Sequence, residues 1–331
     1  MASIMTNSAA LTALQSLNAT QKSLDTTQSR ISTGYRVSQA SDNAAYWSIA
    51  TTMRSDNQAM STVSDSLGLG ASKVDTAYTG MNSAITTINA IQQKLTASYG
   101  QTDAAKEKTQ VEIAALQTQL KGYADAATFS GTNMLSVNSG TATTAADVKV
   151  VSAFNRTSSG AVSISTIDVN VESIKLYEAG ASATTKGILD AARLGSDGSI
   201  TATASAPAAG AAVAATDTYS VASLKIYDSA TSKGFSDAQI SQMMTVVDAA
   251  LKDMTTAATK LGSAKSSIDL QKTFTQSLMD SIDRGVGQLV DADMNKESTR
   301  LQALQVQQQL GVQALSIANG SSQSILSLFR G

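Results

Sequence analysis

The residues that come closest to a chemical motif form the run Asp291-Ala292-Asp293-Met294-Asn295. A calcium-binding loop begins with oxygen-bearing side chains at such alternate positions. It also needs a glycine at its sixth position and a bidentate glutamate at its twelfth. Lys296 and Gln302 occupy those two positions here. The run therefore predicts a solvated helix face and no metal site.

No other set of residues favours catalysis. The sequence contains neither histidine nor cysteine, which excludes imidazole and thiol mechanisms, disulfides and the usual zinc sites. An enzyme would then need paired carboxylates or a serine–lysine pair, but the carboxylates are scattered along predicted helix faces. Gly68-Leu69-Gly70 lacks a following Gly-Lys-Ser/Thr and is not a phosphate loop. We predict that the chain is not an enzyme and uses no cofactor.

Composition restricts the partners. The formal net charge is −2, which argues against nucleic acid, because binding to phosphates depends on lysine and arginine. The first basic residue is Lys22 and no apolar core precedes it, so we expect no cleaved signal peptide. The most apolar run, residues 208–215, is too short to span a membrane, and we expect no membrane insertion.

Helical periodicity dominates the chain. From Met53 to Leu95 apolar residues recur every seven positions, with a row of mostly small residues three positions later, and a similar pattern runs from Ile240 to Leu289. A period of 3.5 predicts two long helices that pair as an antiparallel coiled-coil rod. The predicted rod-packing residues are Met60, Leu67, Val74, Met81, Ile88, Leu95, Ile240, Val247, Met254, Leu261 and Ile268.

Local signals predict where these helices begin and end. Gly34 ends a first helix, Ser41-Asp42 offers an N-cap to the first long helix, and Tyr99-Gly100 ends it. The lone proline, Pro207, interrupts neither long pattern. Gly285-Val286-Gly287 is interpreted as a hinge in the second long helix.

Both ends of the chain carry apolar stripes on polar, weakly charged segments. Burying the N-terminal stripe would yield about 10–15 kcal/mol, whereas ordering roughly 40 residues costs on the order of 60 kcal/mol. We therefore predict that these helices need partners and associate head to tail with copies of the chain. The stripes are rich in glutamine and serine, unlike membrane-active helices. The predicted self-association residues are Ile4, Leu11, Leu14, Leu17, Leu24, Ile31, Leu301, Leu304, Leu315, Ile325 and Phe329.

Between the helices the hydrophobic period changes to two. Residues 149–165 predict a strand, a turn and a strand, and residues 167–171 predict a third strand. The octapeptide Val171–Glu178 resembles Val221–Asp228, fifty residues later. Residues 179–220 between these two copies are rich in glycine, alanine, serine and threonine, which indicates a loop-rich insert.

The predicted fold is mainly α: a long antiparallel α-helical coiled-coil rod with a β-hairpin region and a small variable β/loop outer domain. Residues 1–42 with 288–331 are assigned to the terminal helices. Residues 43–178 with 236–287 are assigned to the rod and its hairpin, and 179–235 to a solvent-facing insert.

The two ends also resemble a known family. Asn7-Ser8 with Leu11-Thr12-Ala13-Leu14, Arg30–Val37 and Ala40–Ala45 resemble the N-terminus of bacterial flagellin, and Ala314–Asn319 with Ser324–Arg330 resembles its C-terminus. The turn Thr128-Phe129-Ser130-Gly131 and the run Asp291–Gln305 are similar too. Tyr46-Trp47 is closer to flagellins of soil alphaproteobacteria. The resemblance covers about residues 1–178 and 236–331.

This resemblance implies a self-assembling subunit of the flagellar filament. The terminal helices would form its inner core, the rods the next layer, and the middle of the chain the outer surface. It also implies an extracellular location and export through the flagellar secretion channel without a cleaved signal. The implied partners are other copies of the chain, sibling flagellins, the export apparatus, an export chaperone and the filament cap.

The resemblance extends to segments that animal and plant receptors bind in many flagellins. At the animal receptor segment Ala90 replaces the key arginine, followed by Gln93 and Lys94. A methyl group cannot replace the bidentate hydrogen bonds of a guanidinium, so we predict weak receptor activation. The plant-recognised stretch, residues 30–49, also departs from the pattern, at Ser41, Asn43 and Tyr46-Trp47.

Two other functions remain open from sequence alone. A hook–filament junction protein shares the terminal signatures. A secreted translocator would instead insert its helices into membranes.

Overall fold

The computed structural model describes residues 7–140, 142, 144–157, 160–180 and 185–328, with side chains up to residue 320. The chain divides into two compact units: unit 1 is Met1–Ala59 with Leu278–Gly331, and unit 2 is Met60–Ser277. The long helices are α1 (Ser8–Thr33), α2 (Ala44–Ser98), α3 (Asp103–Ala126), α4 (Asp237–Val290) and α5 (Met294–Leu328). Helices α2 and α4 each contribute residues to both units.

In unit 2, α2 and α4 bury the rows that the period of 3.5 predicts. On α2 the buried positions alternate by three and four from Met60 to Ser98, and on α4 from Ile240 to Leu261. All eleven predicted rod-packing residues are buried, ten of them with no exposed area and Met60 with 5%. Lys265 of α4 pairs with Asp75 of α2, and Thr96 contacts Met244. Since residue numbers rise in one helix as they fall in the other, the pair is antiparallel.

Helix α3 covers the same core. Its buried residues Lys106, Ile113 and Leu120 are seven apart, which places them on one face. Lys94 of α2 pairs with Glu112 of α3 at 2.6 Å, and the Lys106 ammonium donates to the Phe235 carbonyl at 2.9 Å.

The predicted hairpin consists of β4 (Val148–Arg156) and β5 (Val162–Val169), paired antiparallel. Strand β5 includes most of the third strand predicted from sequence, so two strands replace the expected three. The hairpin packs on α2 at Gly70, where a Cβ atom would clash with Val150 of β4. Gly70 therefore permits close approach of the strand.

The rest of unit 2 consists of short strands and loops. Pairs of two-residue strands are β1 (Thr128–Phe129) with β2 (Thr132–Asn133), β3 (Ser136–Val137) with β6 (Tyr177–Glu178), β7 (Arg193–Leu194) with β8 (Thr218–Tyr219), and β9 (Tyr227–Asp228) with β10 (Lys233–Gly234). The two similar octapeptides have the same structure, a 3₁₀ turn (Val171–Ser173 or Val221–Ser223) followed by β6 or β9.

A buried charge network stabilises the first octapeptide. The Lys175 ammonium is 1% exposed and lies 2.9 Å from Glu178 Oε2 and 3.0 Å from Glu172 Oε2. Glu178 also accepts hydrogen bonds from the backbone N–H groups of Ser139 and Gly180. Although burial alone would raise the pKa of Glu178, the bonds from Ser139, Lys175 and Gly180 lower that pKa to about 2.

In unit 1, the connection between α1 and α2 differs from the sequence prediction. Asp42 Oδ2 accepts hydrogen bonds from Ser38 and Gln39 and closes the loop, so it does not cap α2. The cap is Asn43, whose Oδ1 accepts hydrogen bonds from the N–H groups of Ala45 and Tyr46, both at 3.1 Å. The predicted cap at Ser41-Asp42 is therefore wrong.

The predicted hinge at residues 285–287 is also wrong, because α4 continues through it to Val290. A Cβ atom on Gly285 would lie 3.5 Å from the methyl group of Met53 on α2. The chain leaves the helix instead at Asp291, where Ala292 N–H donates to the Gly34 carbonyl at 2.8 Å.

The predicted fold class is confirmed: long helices, antiparallel within each unit, a β-hairpin and small strand pieces. The division between the two compact units falls after Ala59 in α2 and after Ser277 in α4, whereas the predicted domain limits lie near residues 42 and 288. The functional division into three domains stays a prediction.

Candidate assembly surface

Helix α1 presents one continuous seam to α5. Asn7 caps its first turn, with Oδ1 accepting from Ala10 N–H at 3.1 Å, and Gly34 ends it with φ +75°. Its buried and half-buried positions alternate by three and four along most of its length. These seam residues are Ala10, Ala13, Leu17, Thr20, Leu24, Thr27 and Ile31.

Helix α5 presents the matching seam. Its half-buried positions from Leu301 onward also alternate by three and four: Leu301, Leu304, Gln308, Gly311, Leu315 and Ala318. A Cβ atom on Gly311 would lie 3.1 Å from Leu17 Cδ1, a tight contact that would require Leu17 to shift, so the helices approach closely at this point. The period of 3.5 makes α1 and α5 a two-stranded coiled coil within unit 1.

Polar bonds join the pair at both ends and in the middle. Arg30 Nη1 lies 3.3 Å from Glu297 Oε1, Gln308 donates to Gln21 at 2.8 Å, and Asn7 Nδ2 donates to the Ala318 carbonyl at 2.9 Å. These bonds set the register of the two helices.

Outside the seam, both helices expose large apolar side chains. On α1, Leu11 is 61% exposed and Leu14 is 45% exposed. On α5, Val306, Leu310 and Ile317 are 55%, 58% and 73% exposed. At 100° per residue these three lie on the side of α5 opposite the seam. We call these five residues the outer stripe.

The predicted self-association residues therefore divide into groups. Leu11 and Leu14 belong to the outer stripe. The seam contains Leu17, Leu24, Ile31, Leu301, Leu304 and Leu315. Ile4, Ile325 and Phe329 lie outside the residues whose side chains are described.

Sequence reasoning missed the outer stripe of α5. Val306, Leu310 and Ile317 are spaced i, i+4 and i+11, which is itself a helical signal. The leucines of the seam dominate the pattern, so the sequence-based prediction covered only one apolar side of the helix.

Comparison with known proteins identifies the architecture. Residues 4–140 match the bacterial flagellin N-terminal helical region, and residues 244–329 match the bacterial flagellin C-terminal helical region. The chain belongs to the bacterial flagellin family. This flagellin is 46% identical to flagellin C of Rhizobium meliloti (strain 1021) and 46% identical to a flagellin of Brucella melitensis. Flagellin A of Rhizobium meliloti is 42% identical, and each alignment covers the whole of both chains.

The family establishes the function in outline. This flagellin is a structural subunit of the extracellular flagellar filament, which it forms by self-assembly, and it is not an enzyme. The sequence-based identification is confirmed. Because the relatives match as flagellins over their full length, the junction-protein and translocator alternatives are not favoured.

Two further features that bear on function are a membrane-spanning helix and a metal site. Among the residues that the structure describes, no helix has a stretch long and apolar enough to cross a membrane. Within the same described ranges, no group of three acidic side chains could hold a metal ion.

The receptor-equivalent positions lie on α2 in unit 2. Ala90 is half-buried and Gln93 is exposed. Lys94 pairs with Glu112, so its ammonium group is engaged within the subunit.

Proposed function

We propose that this flagellin polymerises through the outer stripe: Leu11 and Leu14 on α1, and Val306, Leu310 and Ile317 on α5. The seam residues hold α1 and α5 together, and the outer stripe contacts the same helices of neighbouring subunits. Ile4, Ile325 and Phe329 are proposed to join this core.

The carrying observation is that α5 is apolar on two opposite sides. One partner helix can cover only one side, so the coiled coil of α1 and α5 is an incomplete bundle. Fully burying a large apolar side chain contributes about 1.5–3 kcal/mol, and each residue of the outer stripe, at 45–73% exposure, offers part of that amount. Because each subunit must bind its neighbours through different faces, the contacts are head-to-tail and generate an open helix.

The layers of the filament follow from this proposal. Residues 1–42 with 288–331 form the inner core, and residues 43–178 with 236–287 form the surrounding helical layer. Residues 179–235 form the outer domain, with their exposed loops toward solvent. Part of this insert packs inward, because Leu189, Val221 and Ile226 are buried in the core of unit 2.

Further partners belong to the proposal because export must precede assembly. They are the flagellar export apparatus, an export chaperone, the filament cap and sibling flagellins that join the same polymer. Export without a cleaved signal belongs to the same proposal, on the strength of membership in the flagellin family. Ala90, Gln93 and Lys94 support weak activation of the animal receptor, since no guanidinium stands at position 90.

The test is Leu310→Arg. Leu310 faces away from α1, so the variant subunit should keep wild-type helical circular dichroism and lose polymerisation, because the filament would bury an unpaired charge. Gln309→Arg is the matched control. It adds the same charge one residue away, on an exposed polar side of α5, and should still polymerise.

Electron microscopy and sedimentation after salt-induced precipitation measure the result. Normal filaments from Leu310→Arg would refute the outer stripe as an assembly surface. Loss of filaments from both variants would also refute it, because charge anywhere on α5 would then be sufficient.

A further inference from the structure

The two similar octapeptides have the same backbone structure, but their lysines lie in different surroundings. In the first octapeptide Lys175 is buried, and its ammonium contacts Glu172 and Glu178. The same ammonium donates to the Thr185 carbonyl at 3.1 Å. The first octapeptide therefore neutralises its own lysine.

The second octapeptide lacks two of these features. Ala222 occupies the position equivalent to Glu172, so one carboxylate is missing. The connection to the Lys-Gly pair that follows each octapeptide is also shorter, with residues 229–232 in place of 179–185. Lys225, the equivalent lysine, is exposed and forms no ion pair in the part of the chain that the structure describes.

A cavity of about 430 Å³ lies beside the second octapeptide, in unit 2. Its lining combines apolar and polar side chains, among them Leu224, Phe235, Met243, Ser223, Lys225 and Asp228. Small-molecule sites are usually clefts of this size, in which a few polar groups fix a ligand against apolar walls. The lining therefore has the composition of a ligand site.

One wall of the cavity is a segment that is fixed at both ends, residues 204–209. The Ser205 N–H donates to Thr218 Oγ1 at 2.7 Å, and the Ser205 carbonyl accepts from the Thr218 N–H at 3.0 Å. Toward the other end, Gln239 of α4 donates to the Ala208 carbonyl at 2.9 Å, and Gln239 is completely buried. Because these bonds lie within one subunit, the cavity is formed before any ligand binds.

The two charges of the lining are opposite and are not joined by an ion pair among the described residues. Asp228 has a side chain one methylene shorter than the glutamate at the equivalent position, and it interacts with Lys225 only at longer range. Hydrogen bonds from Thr231 and from the Ala230 N–H lower the pKa of Asp228 and keep it ionised. A carboxylate has about four acceptor sites, so Asp228 can accept further bonds. Lys233, opposite Asp228 in the β9–β10 pair, is exposed and outside the cavity lining.

We propose that this cavity binds a free α-amino acid with an apolar side chain. The carboxylate of the ligand contacts Lys225 and the Ser223 hydroxyl, and its ammonium contacts Asp228. Its side chain packs on Phe235 and Met243. A ligand with a single charge leaves the opposite charge of the cavity unmatched, which disfavours simple acids and amines. This site goes beyond the proposed function and is independent of the outer stripe, because all its residues lie in unit 2.

The test on the unmodified subunit is binding of L-leucine, followed by saturation-transfer difference NMR with millimolar ligand. We expect the strongest saturation at the leucine methyl groups, which contact the apolar wall. Isocaproate lacks the ammonium group of leucine, and isoamylamine lacks its carboxylate. Each should bind at least about tenfold more weakly, because a charged hydrogen bond is lost. Absence of leucine binding, or equal binding of either analogue, would overturn the proposal.

Single substitutions in the cavity test the assigned roles. Lys225→Gln and Asp228→Asn each remove one charge and should weaken leucine binding by about tenfold. Lys149→Gln is the matched control, because it removes an exposed lysine of β4 outside the cavity lining and should leave the affinity unchanged. Equal effects of Lys149→Gln and Lys225→Gln would overturn the proposal. Since polymerisation tests the outer stripe separately, failure of leucine binding leaves the proposed function intact.

Discussion

Unit 2 and the α1–α5 pair of unit 1 use the same period of 3.5 to opposite effect. In unit 2, α2 and α4 bury Ile, Leu, Met and Val side chains completely, and α3 covers the same core. In the α1–α5 pair, the seam is mostly half-buried and includes Ala, Thr, Gln and Gly. Unit 2 is therefore a finished hydrophobic core within one subunit. The α1–α5 pair is a part of a core that the polymer completes.

The largest expected difference is in local stability. Amide hydrogens of α2 and α4 in unit 2 should exchange at least about a thousandfold more slowly than those of α1 and α5 in dilute subunits, because few buried contacts oppose opening of the pair. Hydrogen exchange monitored by mass spectrometry measures both regions at once.

In filaments, α1 and α5 should become as protected as unit 2. Unit 2 is the internal control, because its protection from hydrogen exchange should change little between subunits and filaments. If dilute subunits already protect α1 and α5 as strongly as α2, the pair is stable alone and the comparison fails.

The next effect is on subunit stability. Leu67→Ala removes a completely buried side chain from unit 2 and should lower the free energy of unfolding by about 3 kcal/mol. Leu17→Ala makes the same chemical change at a half-buried seam position and should cost about 1 kcal/mol or less in the monomer. Urea unfolding followed by circular dichroism measures both.

The critical concentration for polymerisation of Leu67→Ala and Leu17→Ala distinguishes the core of unit 2 from the seam further. Leu17→Ala should raise the critical concentration markedly, because the polymer is expected to complete the burial of the half-buried Leu17. A Leu17→Ala subunit as unstable as Leu67→Ala would show that the seam is already a complete core.

The rows of unit 2 were predictable because large apolar residues mark every seventh position. The seam of α1 was only partly predictable. Ala10, Ala13, Thr20 and Thr27 occupy most of it, and a search for large side chains passes over them. Leu11 and Leu14 were grouped with Leu17 because leucines three residues apart suggest one face. Only the position of α5 shows that they lie outside the seam.

The contact of Arg36 with the ring of Tyr46 was not predictable from periodicity. Arg36 meets Tyr46 only because the loop closed by Asp42 turns the chain back on itself, and Arg36 Nη2 donates to the Leu289 carbonyl at 2.8 Å. Such contacts depend on the path of a connecting loop. The Tyr46-Trp47 pair after two alanines indicated the family, but not that Arg36 would contact the Tyr46 ring.

Ion pairs are expected to contribute less than the buried core of unit 2, and they again separate the two regions. Glu178→Gln in unit 2 leaves the buried Lys175 with Glu172 as its remaining acidic partner and should lower the free energy of unfolding by about 2 kcal/mol at neutral pH. Glu297→Gln removes the partner of Arg30, whose side chain is 27% exposed, and should cost about 0.5–1 kcal/mol.

The pH dependence gives the sign of the Glu178 contribution. Its folded pKa of about 2 lies below the ordinary value of 4.5, so its stabilisation is present above pH 4.5 and is lost as the pH falls toward 2. The difference in stability between wild type and Glu178→Gln should therefore shrink on acidification. Burial raises the pKa of Asp190, so this residue favours the folded state on acidification. Because Asp190 is present in both proteins, its effect cancels in the difference. If the difference in free energy of unfolding between the two proteins stayed constant from pH 6 to 3, the negative charge of Glu178 would contribute nothing to stability.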